Sequence, residues 1–143
     1  MSLRLVLLLP FALTCVVGCP TSRTGSSATP LENRNWRLVE VGSQPATSGP
    51  RGVYLQFASD SARVTGSTGC NQLTGPFMRD GSALTFGAMI TTKMACVDPR
   101  LNQQEHAFLA ALQATQRYEI TGDTLILIGA AGPVARLAAG AAS

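Results

Sequence analysis

The sequence predicts an α+β domain, a mostly antiparallel β-sheet with one α-helix inserted. Short runs with period-two alternation recur between Gly, Asp and Ser turn signals, the pattern of half-buried strands. One stretch switches to helical spacing, with Leu101, Phe108 and Leu112 on a single stripe. Strand-like runs then resume, so the helix is one insertion into a sheet.

In chain order, the opening stretch MSLRLVLLLPFALTCVVGC reads as a targeting segment. Arg4 supplies a positive start, and the apolar run from Leu5 to Val17 falls short of the ~20 residues that a membrane-spanning helix needs. It closes on Val16-Val17-Gly18-Cys19, which resembles the lipobox of bacterial lipoproteins. That resemblance implies cleavage before Cys19 and lipid attachment to it, with a plain secretory signal as the alternative. Residues 20–30, PTSRTGSSATP, are small, polar and suited to a flexible tether. The expected organisation is a signal peptide over 1–18, a lipid-anchor cysteine and tether over 19–30, and one domain over 31–143.

Within that domain, Trp36 to Val41 forms a first strand ending at Gly42. VYLQF then puts Val53, Leu55 and Phe57 on one face, and the Ser59-Asp60-Ser61 turn leads into ARVTG, its hairpin partner. PFMR runs to Asp80-Gly81, a favoured hairpin dipeptide, and ALTF returns. Asp98 can cap free amides and Pro99 suits a first helical position, so the helix runs from Pro99 to about Ala114. Glu105 shares the helix's apolar stripe, so its carboxylate needs a partner or its pKa rises. RYEIT, the Gly122-Asp123 turn, LILI and VARLA return the chain to strands.

Composition excludes several functions. The chain has 143 residues, 45% hydrophobic, with 11 Lys+Arg dispersed against 8 Asp+Glu and a net charge of +3. That is a solvated surface, not a nucleic-acid groove. A zinc site needs about four closely spaced ligands, whereas the one histidine and the distant pair Cys70 and Cys96 offer too few, so no metal or cofactor is expected. A Cys-His-Asn set with His106 and Asn71 or Asn102 can be drawn, but His106 falls off the apolar stripe and reads as a surface histidine. No catalytic residue is assigned, and the chain is not expected to be an enzyme.

One constellation carries a resemblance. Gly69-Cys70-Asn71, then Gly75, then Thr92-Lys93-Met94-Ala95-Cys96, and Glu105 on the helix occur in order. With Trp36 and Leu38 opening the domain, this pattern resembles the META domain family over roughly residues 31–130. Phe77 stands where tyrosine is commoner, and Pro76 precedes it. The resemblance implies antiparallel strands curled against one helix, with no established enzymatic activity. Its members include a heat-shock-associated bacterial lipoprotein and are linked to stress responses, antibiotic tolerance, secretion or motility.

Cysteine arithmetic adds a covalent expectation. Cys15 leaves with the signal and Cys19 takes the lipid, so Cys70 and Cys96 remain as an even pair in an oxidising compartment. A disulfide between them would stabilise the fold by roughly 3 kcal/mol; two buried free thiols are the alternative. Asn71 is expected to tolerate left-handed geometry and organise its turn. Met94 is expected to fill core space, and Glu105 to accept from backbone amides near the cysteine turn.

The function expected is that of a monomeric, lipid-anchored envelope protein, on the outer membrane facing the periplasm if the cell is Gram-negative. It would bind an envelope protein, or a small apolar ligand in a groove between sheet and helix. The alternative is a small inhibitor or pilot-type protein docking to a protease or secretion component.

Overall fold

The structure is a computed structural model that describes residues 29–94 and 96–140. The expected signal peptide, the lipidation site Cys19, the tether up to residue 28, and Ala95 lie outside the described residues. Ten strands and one helix follow in order: β1 (Asn35–Val41), β2 (Gln44–Pro45), β3 (Val53–Phe57), β4 (Arg63–Thr68), β5 (Gln72–Asp80), β6 (Ala83–Phe86), β7 (Ile90–Thr91), α1 (Pro99–Ala114), β8 (Arg117–Thr121), β9 (Thr124–Gly129) and β10 (Gly132–Ala139).

Every ladder is antiparallel, and eight strands form a ring in the order β1-β3-β4-β5-β6-β8-β9-β10. The ring closes because β10 pairs back onto β1, with Trp36 opposite Ala139 and Leu38 opposite Leu137. Short β2 and β7 pair outside the ring, on β1 and β5. The fold is therefore an eight-stranded antiparallel β-barrel with two extra strands and one helix. This corrects the α+β expectation of a sheet curled against a helix. Alternation fixes which face of a strand is buried but not which strand is its neighbour. The pairing that turns sheet into barrel joins the two ends of the domain.

A bulge in β1 makes that closure possible. The β1–β10 register shifts between Leu38 and Glu40, so two residues of β1 face one of its partner and the alternation slips by one. Trp36, Leu38 and Val41 are buried as a result, while Val39 is 46% exposed. Strict alternation would have turned Glu40 inward. A second shift lies in β10 beside Pro133, a position where the ring's missing N–H is tolerated within a sheet.

The interior is one apolar cluster joining the strands to the helix. Trp36, Leu55, Phe57, Val64, Leu84, Phe108, Leu112, Leu125, Leu127 and Leu137 are fully buried. Helix α1 begins where the Asp98 carboxylate accepts the Arg100 N–H at 2.9 Å, followed by Pro99. It ends at Thr115, whose hydroxyl donates to the Ala111 carbonyl at 2.8 Å. Because α1 touches β1, β4, β6, β9 and β10, strands from opposite sides of the ring, it lies across one mouth of the barrel. Leu31 seals the other mouth: it is 1% exposed, and its carbonyl accepts the Trp36 indole N–H at 2.8 Å. Phe108 and Leu112 fill the space beneath α1, and a shallow cleft remains between α1 and the turn from β1 to β2, lined by Gln44, Pro45, Gln103 and Ala107 among others.

Candidate functional site

The motif residues converge at the α1 end. Gly69, Cys70 and Asn71 make the turn from β4 to β5. The left-handed geometry expected of Asn71 belongs to Gly69, whose φ is +103°, a region favourable to glycine. Cys70 is disulfide-bonded to Cys96, with Cα atoms 5.8 Å apart across a sequence separation of 26; that spacing is ordinary for a bridge. The bond ties the β4–β5 turn to the segment entering α1.

Asn71 is 4% exposed and joins three segments. Its amide oxygen accepts the Met94 N–H at 2.7 Å and the Thr92 hydroxyl at 3.0 Å. The amide nitrogen donates to Glu105 Oε2 on α1 at 2.9 Å. Beside it, the Thr68 hydroxyl donates to the same Oε2 at 2.5 Å and accepts the Asn71 N–H at 3.2 Å. The Thr92 hydroxyl also accepts the Gln72 N–H at 3.0 Å. The β4–β5 turn, the 92–94 segment and α1 are thus held by one side-chain amide and one carboxylate. Buried polar groups require such satisfaction, and each bond to a charged group is worth more than a neutral one.

This arrangement revises two residue-level expectations. Glu105 is half-buried on α1, but its donors are the Thr68 hydroxyl and the Asn71 amide rather than backbone amides. Met94 does not fill the core; its side chain is half exposed, at 50%. Gly75 sits in β5 opposite Val64, and a Cβ there would fall 2.6 Å from Met89 Sδ and 3.0 Å from the Ala88 carbonyl. Glycine lets the chain that leads to Thr92 cross close over β5. His106 lies on the exposed side of α1, away from the buried stripe.

Two residues of this end escaped the sequence. Thr68 is fully buried and central to the clamp, yet one threonine among small turn residues carries no distinguishing signal. Gln104 is 7% exposed, and its amide bonds both the N–H and the carbonyl of Thr47, at 2.5 and 3.0 Å. It lies three residues after Leu101 on the buried stripe, so a polar residue at a core position was the available signal.

Among the described residues, no group of three or more His, Cys, Asp or Glu side chains is placed to hold a metal ion. No helix among them is long and apolar enough to cross a membrane. A surface cleft of about 430 Å³ lies against the disulfide, lined by Arg51, Met94, Val97 and Leu101 among others.

Comparisons with known proteins agree with this architecture. The chain is 26% identical over 114 residues to the heat shock protein HslJ of Escherichia coli strain K12, covering 78% of this chain and 79% of that protein. A protein from Burkholderia xenovorans solved by NMR superposes with a TM-score of 0.63 at 21% identity, covering 93% of this chain and 99% of that one. A second NMR structure superposes with a TM-score of 0.61 at 23% identity, covering 76% and 91%. At those identities the two structures support the barrel fold and nothing further. The META domain family model matches residues 29–141, a span that includes every described residue, and the chain belongs to the META domain family.

Proposed function

We propose that this protein is a non-enzymatic, lipid-anchored envelope protein whose META domain binds an envelope protein under stress. The observation that carries the proposal is the commitment of the motif's polar groups to structure. Asn71 is bonded through both ends of its amide, Glu105 receives two donors, and Cys70 and Cys96 are joined to each other. Groups held this way build a fixed surface; a nucleophile or a general base needs a free thiol or a mobile proton.

The interior favours a protein partner over an enclosed apolar ligand, because core side chains fill the barrel beneath α1. Geometry also suits an anchor at Cys19. The described chain starts at Thr29, beside Asp123 and Leu31 at the mouth opposite α1. A lipid on Cys19 would join the domain to the membrane through the chain that enters at that mouth. The heat-shock name of the Escherichia coli relative supports a stress setting.

The test is metabolic labelling with a fatty-acid analogue, followed by membrane fractionation. The envelope-bound protein carries the label, and Cys19→Ser abolishes it. Labelling that survives Cys19→Ser, or an unlabelled wild-type protein, refutes the anchor.

A further inference from the structure

Of the five large apolar side chains exposed among the described residues, Met94 and Val97 lie beside the disulfide and Ile90 precedes them on the same segment. Val97 is fully exposed, Ile90 is 66% exposed and Met94 is 50% exposed. All three belong to the stretch between β6 and α1 that Asn71, Thr92 and the Cys70–Cys96 bridge hold in place. Met94 and Val97 line the cleft whose floor includes the disulfide and Leu101. Exposed apolar side chains on a segment fixed by a buried clamp are pre-ordered for contact, which lowers the entropic cost of binding.

Charge and backbone specify the occupant. Arg51 lines the cleft, and Lys93 is exposed beside Met94. Among the described residues, neither has a carboxylate within ion-pair distance, whereas Asp98, which also lines the cleft, is paired with Arg100 at 2.8 Å. The cleft is therefore apolar with uncompensated positive charge beside it. Three residues before Met94 along the chain, β7 ends at Thr91; Ile90 and Thr91 line a separate cleft with Tyr54 and Gln72, and among the described residues β7 pairs with β5 alone, which leaves its other backbone edge available for pairing.

We infer that this cleft and the β7 edge dock an extended, acidic segment of a partner protein. The segment adds alongside Ile90–Thr91, places an apolar side chain against Met94, Val97 and the disulfide, and sets carboxylates opposite Arg51 and Lys93. This rests on the surface-binding reading above and narrows it to one face and one chemistry.

The test uses the full chain in cells, with Val97 replaced by the photo-crosslinker p-benzoylphenylalanine. A control replaces Met78, which is 74% exposed in the separate cleft bounded by Glu32 and Arg79. Irradiation at position 97 gives an adduct whose cross-linked peptide, read by mass spectrometry, comes from another protein and carries Asp or Glu among apolar residues. Arg51→Glu combined with Lys93→Glu lowers that adduct by about tenfold, while thermal melting stays unchanged because both side chains are exposed. Adducts to lipid, to a second copy of this chain or to a basic segment overturn the inference. So does a yield indifferent to the two charge reversals. Adducts from position 78 alone sink this face and leave surface binding standing; none from either position sinks both.

Discussion

At one mouth of the barrel Leu31 is a simple plug, an apolar side chain under a carbonyl bonded to Trp36. At the other, α1 closes the core with Phe108 and Leu112, and a polar clamp and a disulfide fix the chain above it. Apolar burial is non-directional, so bulk carries most of the Leu31 mouth, with the indole bond from Trp36 beside it. Hydrogen bonds and a covalent bridge are directional, so the α1 mouth holds one arrangement of residues 92–98. The first device stabilises; the second also shapes a surface. Cys70, Asn71, Thr92 and Glu105 lie at the second mouth, whereas Trp36, which opens the domain, lies at the first.

The largest effect should come from the side that relies on bulk. Trp36→Ala removes a fully buried ring and the indole bond to Leu31, and should cost about 4 kcal/mol in denaturant melts. At the clamp end, Cys96→Ser should cost roughly 3 kcal/mol by releasing a loop constraint. It should leave the barrel folded, so proteolysis would cut near Met94 before any strand. A loss as cooperative as that of Trp36→Ala would erase the distinction between the two ends.

Asn71→Ala should rank third, at about 2 kcal/mol, since it leaves the Met94 N–H and the Glu105 carboxylate short of a partner. The smallest effect lies at the start of α1. Hydrogen bonds from the Arg100 side chain and N–H hold the Asp98 carboxyl below its usual range. A depressed carboxyl adds stability above the unfolded pKa and loses it as pH falls through the lower folded value. Asp98→Asn keeps the cap but removes this charge, so its acid melts should show a slightly shallower loss of stability at low pH. Salt should shrink the difference, because the pair is exposed.

Local features of this fold were legible in the sequence, and long-range pairing was not. The Asp98-Pro99 start, the Asp80-Gly81 turn and the Val53/Leu55/Phe57 alternation depend on neighbours within a few residues, and each appears where the pattern puts it. The β1–β10 closure depends on register between residues about a hundred apart, which periodicity does not encode. Val41 is inside only through a bulge that no local signal marks. Strands β2 and β7 are two residues each, too short to alternate. At the site, Cys70, Asn71 and Glu105 stand out in the sequence and Gln104 is marked only by its polar side chain on the apolar stripe, whereas Thr68 becomes visible only once the barrel and helix bring its partners close. Met94 was misplaced because an apolar residue is assigned to a core by default, and here it lies on a fixed outer segment.

Beyond the disulfide, the Asn71 side chain holds residues 92–94 to the barrel. Amide hydrogen exchange of Asn71→Ala, with the Cys70–Cys96 bond intact, tests it most directly. The Met94 amide, bonded to Asn71 Oδ1 at 2.7 Å, should lose its protection while the Leu55 amide within β3 keeps its own. Unchanged protection at Met94 would contradict the claim and leave the bridge as the sole restraint on that end.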